Sequence, residues 1–250
     1  MATIAIGDIH GNRAALDDLL ARLDGEIAAE DTVVFLGDYI DRGPASKECV
    51  ERILRFRAET PAAVVTLLGN HEDGLLRALD NPHRYSWLTV MEGLATVRSY
   101  SAPAADTLDR ALEMAGPRLV LERVALPYDD FFAAIPPDHW AFFKELKPFC
   151  RTPDCVCVHG GLDPGRGAVE TQTREAMIWG AEAFVRDYAG PDIVIYGHWD
   201  NSESGDDGWP RPAVGRASIG IDTISHGVLT AFRLPDRRVF QSERFSYATT

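Results

Sequence analysis

Thr3-Ile4-Ala5-Ile6-Gly7-Asp8-Ile9-His10-Gly11 decides how the rest of the chain is read: a short apolar run stops at glycine and gives way to an acid and an imidazole. Leu16, Leu19, Leu20 and Leu23 follow at helical spacing, so a strand is succeeded by an amphipathic helix. The pattern returns twice. Thr32-Val33-Val34-Phe35-Leu36 leads to a helical stretch around Val50, Ile53, Leu54 and Phe56, and Val64-Val65-Thr66-Leu67-Leu68 starts the theme again. Strands alternating with helices predict βαβ units.

Beyond this, residues 74–149 change character: leucine, alanine, Trp87, Phe131, Phe132, Trp140 and Phe143 fall in helix-like patterns broken by prolines, which reads as a mostly helical insertion or cap. Short strands dominate the remainder, at Val156-Cys157-Val158, Ile193-Val194-Ile195-Tyr196, Ile219-Gly220-Ile221 and a last pair around Pro235-Asp236. Residues 201–212, rich in acids, glycine and proline, read as an exposed loop. No repeat or linker divides the chain, so residues 1–250 are expected to form one domain.

Five of the apolar runs end in polar clusters of one chemical kind: Gly7-Asp8-Ile9-His10-Gly11, Gly37-Asp38-Tyr39-Ile40-Asp41-Arg42-Gly43, Gly69-Asn70-His71-Glu72, His159-Gly160-Gly161 and Gly197-His198. Ligands collect outside the carboxyl ends of strands in α/β sheets, so five such ends predict one site. Asp8, Asp38 and Asn70 with the imidazoles of His10, His159 and His198 are mixed oxygen and nitrogen ligands. That set suits manganese, iron or zinc, and six side chains suffice for two ions if one carboxylate bridges them. Two ions roughly 3.5 to 4 Å apart can generate hydroxide and clamp a phosphoryl oxygen, which is the chemistry of phosphoester hydrolysis. The flanking glycines let the backbone turn and leave room for an anion.

Composition narrows the partners. A chain of 250 residues, 46% hydrophobic and 25% charged, can bury a continuous core, which excludes disorder and fibrous repeats. No run approaches the roughly 20 apolar residues of a membrane span, and a cytoplasmic protein is expected. Thirty-eight acidic against 25 basic side chains give a net charge of −13, which repels nucleic acid and anionic membrane alike, and no basic patch offsets it. Cys49, Cys150, Cys155 and Cys157 include no C-x-x-C pair and read as reduced thiols; a metal held by Cys150, Cys155 and Cys157 is the alternative. Nothing in the sequence indicates an oligomeric state.

The strand-end clusters resemble the signatures of the phosphoprotein phosphatase family of calcineurin-like metallophosphoesterases. With Gly197-His198 and Ile221-Asp222-Thr223 the likeness runs over nearly the whole chain, and residues 87–100 are similar to the bacterial branch. The resemblance implies an α/β (α+β) fold of αββα type, a central β-sandwich flanked by helices, with residues 74–149 as a helical insertion. It implies that Asp8 and His10 hold a first metal, that Asp38 bridges, and that Asn70, His159 and His198 hold a second, two divalent ions with manganese first and iron or zinc as alternatives. By the same likeness His71 protonates the leaving oxygen, Asp41 orients it, and Arg42 grips phosphate oxygens in a bidentate fork. The implied substrate is a phosphoserine, phosphothreonine or phosphotyrosine in a protein or peptide. Glu72 completes its motif without a derivable role.

One departure matters. Many family members carry a second phosphate-binding arginine shortly after a tryptophan, whereas Trp179 is followed by Gly180, Ala181 and Glu182, leaving Arg84, Arg166, Arg174 or Arg186 as replacements, or a different grip on the substrate. A rival reading is symmetrical hydrolysis of diadenosine tetraphosphate, a branch that shares the metal motifs and tends to carry tryptophan after its last histidine, as in His198-Trp199. A metal-bound scaffold without turnover is a third reading, opposed by the intact His71, Asp41 and six ligands. Plainer roles stand beside these: His83, His139 and His226 as structural histidines, Asp8 and Asp38 as helix caps, Asp41 and Arg42 as a surface ion pair, and Asp222 as a turn residue or a partner orienting a ligand. Tyr39 and the insertion's aromatic residues read as packing.

Overall fold

Strands that are apolar on both faces must be buried on both faces, and the chain meets that condition by stacking two sheets between layers of helix. The structure, a computed structural model, describes residues 1–200 and 203–246. In chain order come β1 (Thr3–Ile6), α1 (Arg13–Leu23), β2 (Thr32–Phe35), α2 (Ser46–Glu59), β3 (Ala63–Thr66) and α3 (Asn70–Asp80). Helices α4 (Tyr85–Thr89), α5 (Gly93–Tyr100), α6 (Ala102–Ala115), α7 (Arg118–Leu121), α8 (Asp129–Ala134) and α9 (Pro137–Glu145) follow. Then come β4 (Phe149–Arg151), β5 (Val156–Val158), α10 (Arg174–Trp179), α11 (Glu182–Asp187), β6 (Val194–Tyr196), β7 (Glu203–Ser204) and β8 (Pro210–Arg211). The last strands are β9 (Ala213–Val214), β10 (Ser218–Gly220), β11 (Thr230–Leu234) and β12 (Arg238–Gln241).

One sheet has the order β12-β11-β1-β2-β3 and the other β4-β5-β6-β10-β9. Side-chain alternation sorts the residues into layers. Ile4 and Ile6 of β1, with Val33 and Phe35 of β2, pack against the helices that follow them, where Leu16, Leu19, Leu20 and Leu23 of α1 supply the apolar stripe. The intervening Ala5 and Val34 face the second sheet, meeting Cys157, Ile195 and Ile219 in the layer between the sheets. Val156, Val158, Val194 and Tyr196 point the other way, against Met177 of α10 and Phe184 of α11. This is the αββα sandwich that the resemblance implies.

Parallel pairing sets the position of the site. β1, β2 and β3 are parallel with Ile6 opposite Phe35 and Phe35 opposite Thr66, so the loops that follow them leave the sheet side by side. β5, β6 and β10 are likewise parallel in the second sheet. Between β3 and β4 the chain forms helices α3 to α9, and Trp87, Phe131, Phe142 and Phe143 of this segment are buried. All four cysteines are free, and Cys155 and Cys157 sit in the inter-sheet layer with their sulfurs 3.8 Å apart.

The reading of residues 201–212 as a plain loop needs correction. Asn201 and Ser202 lie outside the described residues, but beyond them β7 and β8 pair as a short hairpin. It is tied to β12 where Trp209 Nε1 donates to Gln241 Oε1 at 2.9 Å, a contact between residues too far apart in sequence for local turn chemistry to announce. Among the described residues no helix is long and apolar enough to cross a membrane.

Candidate metal centre

The backbone at the strand ends is bent in a way that side-chain-bearing residues seldom accept. His10, Asp38, Asp41, Arg42 and His198 all have positive φ, between 47° and 70°. Each such residue costs about 1–3 kcal/mol and persists only where the surroundings over-determine it, a pattern typical of functional sites. The effect is to turn side chains from three of the strand-end loops toward one point. Asp8 accepts from the backbone N–H of His198 (3.0 Å), and Asp38 Oδ1 accepts from the backbone N–H of His71 (3.1 Å), so two of the motifs are each anchored by an acid from another.

Two of the imidazoles are oriented by carbonyl groups. His10 Nδ1 lies 3.0 Å from the carbonyl of Ile40, and His159 Nδ1 lies 3.1 Å from that of Leu36. A carbonyl only accepts, so Nδ1 carries the proton and the Nε2 lone pair faces inward. Those Nε2 atoms approach Asp38 at 3.5 Å and 3.3 Å. Asn70 Oδ1 lies 2.9 Å from both His159 Nε2 and His198 Nδ1. Burial, aided by His71, holds the His10 imidazole well below its ordinary range, and burial with His159 pushes His198 down to about 4, so both rings are neutral, as ligands must be.

Asp8 and Asp222 shift the other way, whereas at Asp38 burial is outweighed by the surrounding imidazoles, His159 foremost, which hold the carboxyl well below the usual range. Burial, then the charges of Asp222 and Asp38, lifts the Asp8 carboxyl well above the usual carboxylate range, and burial lifts Asp222 to about 6. Asp222, left open in the sequence between turn and supporting roles, therefore belongs to the electrostatics of this site. The donor set fits a pair of divalent cations. His10, Asp38 and His71 form one group of ligand atoms within 4.8 Å of one another, and Asp38, His159 and His198 form a second, joined through the Asp38 carboxylate. Crowded carboxylates destabilise one another until a cation enters, and inward-facing lone pairs give that cation its ligands.

Glu72 acquires a role that its motif did not disclose. Its carboxylate is fully buried and accepts from four backbone N–H groups, those of Tyr39 (2.8 Å), Asp38 (2.9 Å), Ile40 (3.2 Å) and Gly69 (3.2 Å). It therefore locks the loop after β2 to the start of α3, the two segments that carry Asp38, Asp41, Asn70 and His71.

His71 and Asp41 form a pair, with Nδ1 2.8 Å from Oδ2. Burial works to lower the His71 pKa, but the charge of Asp38 and the bond to Asp41 outweigh it and raise it to about 9. Asp41 does not pair with Arg42. It is buried completely and also accepts from Trp87 Nε1 (2.8 Å) and Thr96 Oγ1 (2.5 Å), two contacts from α4 and α5 that sequence reasoning missed. Nothing local marks them, since a tryptophan in an aromatic helical segment reads as core. Arg42 is exposed and, among the described residues, has no ion-pair partner.

Of the proposed replacements for the second arginine, two are engaged elsewhere and one is undescribed. Arg174 pairs with Asp73 at 2.8 Å and Arg166 with Asp163 at 3.3 Å, while the side chain of Arg186 lies outside the described residues. Arg84 keeps a buried Nε without a partner. What stands by the metal ligands is an indole: Trp179 is 38% exposed with its ring 5.7 Å from that of His198. Gly180, at φ +62°, turns the chain there, and a side chain at that position would run into the Gly160 carbonyl. Trp199, by contrast, is fixed, with its Nε1 donating to Gly160 O at 2.8 Å.

Such paired ligand groups at the ends of parallel strands define a dinuclear metal-dependent hydrolase. A family model for calcineurin-like phosphoesterases matches residues 1–209, and the chain belongs to that family. A symmetrical bis(5'-nucleosyl)-tetraphosphatase of Nitrosospira multiformis is 29% identical over 97% of this chain and 96% of its own length. Another of that name, from Janthinobacterium sp. (strain Marseille), is 27% identical over 95% of this chain and 78% of its own length. A solved structure described as a candidate diadenosine tetraphosphatase superposes with a TM-score of 0.63 at 22% identity, covering 96% of this chain and 92% of that one, which bears on the fold alone.

Two measurements check this site. A ligand present at a hundred times its Kd stabilises a fold by about 2.7 kcal/mol, so a chelated sample should melt roughly 5–10 °C below one supplied with manganese. An unmoved Tm in calorimetry would mean that these side chains do not hold an ion. Glu72→Gln puts an amide nitrogen against N–H donors and should lower unfolding free energy by about 1–3 kcal/mol in urea titrations. A neutral result would remove Glu72 from its locking role.

Proposed function

We propose that the protein hydrolyses dinucleoside polyphosphates, with symmetrical cleavage of diadenosine tetraphosphate as the leading activity. The observation that carries this reading is similarity along nearly the whole chain, rather than at the motifs alone, to symmetrical tetraphosphatases. The sequence placed phosphoprotein first and the dinucleotide second; the relatives favour the reverse order. The rim supports it too, since the indole of Trp179 near the ligands suits a nucleobase better than a phosphopeptide backbone.

In this reading Asp8, His10 and Asp38 would hold one ion, and Asp38, Asn70, His159 and His198 would hold the other. Bound there, the ions supply Lewis acidity that makes water a better nucleophile and neutralises charge growing on the phosphoryl oxygens. Arg42, exposed and unpaired, grips non-bridging oxygens and holds phosphorus in place. Water adds in line to phosphorus, releasing a proton to solvent, while the anhydride P–O bond to the departing nucleoside diphosphate breaks. His71 Nε2 gives its proton to that leaving oxygen and regains one from solvent, while Asp41 holds the ring by Nδ1. No covalent phosphoenzyme forms.

Product analysis of diadenosine tetraphosphate treated with manganese-loaded protein should give two equivalents of ADP. AMP with ATP would indicate asymmetric cleavage, and a higher kcat/KM for phosphopeptides than for the dinucleotide would restore the first reading of the sequence. Base–aromatic stacking is worth about 1–3 kcal/mol, so Trp179→Ala should raise KM for the dinucleotide roughly 5- to 150-fold and leave para-nitrophenyl phosphate nearly unaffected. Equal effects on both would deny Trp179 a part in base recognition.

A further inference from the structure

Residues 87–100 were singled out by their sequence, yet neither the metal ligands nor the phosphate grip uses them. We propose that Trp87 and Thr96 are positioning residues that fix the Asp41 carboxylate, and through it the His71 ring, for proton delivery. The proposal rests on the reading of His71 as the group that protonates the leaving oxygen.

Asp41 is sealed from solvent, so its carboxylate takes all its hydrogen bonds from protein. Oδ2 accepts from His71 Nδ1 and from Trp87 Nε1, both at 2.8 Å, while Oδ1 accepts from Thr96 Oγ1 at 2.5 Å. A carboxylate held at one oxygen can pivot about χ2; one held at both cannot. Thr96 does more than donate. Its hydroxyl oxygen also accepts the Asp41 backbone N–H at 2.8 Å, with Ser46 Oγ sharing that donor at 3.1 Å. The same side chain therefore holds both the carboxylate and the left-handed backbone, at φ +70°, that aims it.

The indole itself has no room to turn. A Cβ on Gly93 would fall 2.6 Å from Trp87 Cε2, and one on Gly74 would fall 2.8 Å from Trp87 Cδ1. Gly74 lies on α3, the helix whose first residues are Asn70 and His71. The rings of Phe131 and Tyr128 stack near the same indole at 5.7 and 6.2 Å. Thus the orientation of the acid pair is set from α4 and α5, outside the strand-end motifs that hold metal.

The test uses full-length Trp87→Phe, Thr96→Val, Thr96→Ser and His71→Asn variants, each checked for folding by thermal melting and for manganese content. If the clamp positions the acid, Trp87→Phe and Thr96→Val lower kcat on phenyl phosphate about 10- to 100-fold, the range seen when supporting hydrogen bonds are removed, with KM changed less than about 2-fold. The loss is smaller on para-nitrophenyl phosphate, whose better leaving group needs less protonation, and Thr96→Ser restores the rate. In metal-free protein, nuclear magnetic resonance should show a hydrogen-bonded His71 Nδ1 proton that weakens or vanishes in Trp87→Phe and Thr96→Val and returns in Thr96→Ser. Equal losses on the two esters, or an Nδ1 proton unaffected by the variants, overturn the proposal. A leaving-group-dependent loss in His71→Asn without one in the clamp variants overturns the positioning role alone. No such dependence in His71→Asn overturns the underlying reading, and the proposal with it.

Discussion

Buried negative charge that, among the described residues, no lysine or arginine pairs with directly is the constraint on which the rest of this molecule turns. Asp8, Asp38 and Asp222 lie within one another's field, and among the described residues the ion pairs of Asp38 are with imidazoles alone. Isolated carboxylates in a dry interior are expensive, and like charges in a group more so. The fold supports this arrangement with fixed dipoles: backbone N–H groups reach Asp8 and Asp38, and carbonyls turn the imidazole lone pairs inward. Cations held by these side chains would complete what those dipoles leave undone. The five left-handed residues are the conformational side of the same bargain, strain accepted where ligands must converge.

The strand-end clusters were legible because their chemistry is local. Apolar runs had to be strands, glycine had to end them, and imidazole beside glycine served neither helix propensity nor packing. Parallel pairing then levels the ends of β1, β2 and β3, so that residues more than sixty positions apart become neighbours. Glu72 marks where this kind of reading stops. Its position in the motif was plain, but its work is to accept four N–H groups, three of them from a loop over thirty residues away, and that depends on how α3 docks against β2. The same limit hid the hairpin of β7 and β8, which is secured by Trp209 against β12.

Trp87 and Thr96 were harder still, because core packing and active-site support use the same residue types. Trp87 is buried, stacked on Phe131 and set into an aromatic cluster, as any core tryptophan would be. Only its Nε1, which must find an acceptor once buried, separates the two roles, and its acceptor is Asp41. Polar atoms on apolar side chains are thus where helical segments can act on a site they do not line. Thr96 illustrates the point with a single hydroxyl that serves as donor and acceptor to the same residue.

Substrate choice follows a different logic from catalysis. In the proposed mechanism two cations, a cationic fork and a proton donor would treat a phosphomonoester and a phosphoanhydride alike, so the groups at phosphorus would not tell one from the other. Discrimination must come from what surrounds them. The net charge of −13 repels a polyphosphate at long range, but at physiological salt that field fades over about 8 Å, leaving the approach to Arg42 and the metal charges. Close in, the missing arginine after Trp179 removes one anchor for phosphate and leaves an exposed indole beside His198. On the proposed reading, the rim relies less on charge recognition, which any phosphate ester satisfies, and more on a flat apolar surface against which an aromatic base can stack.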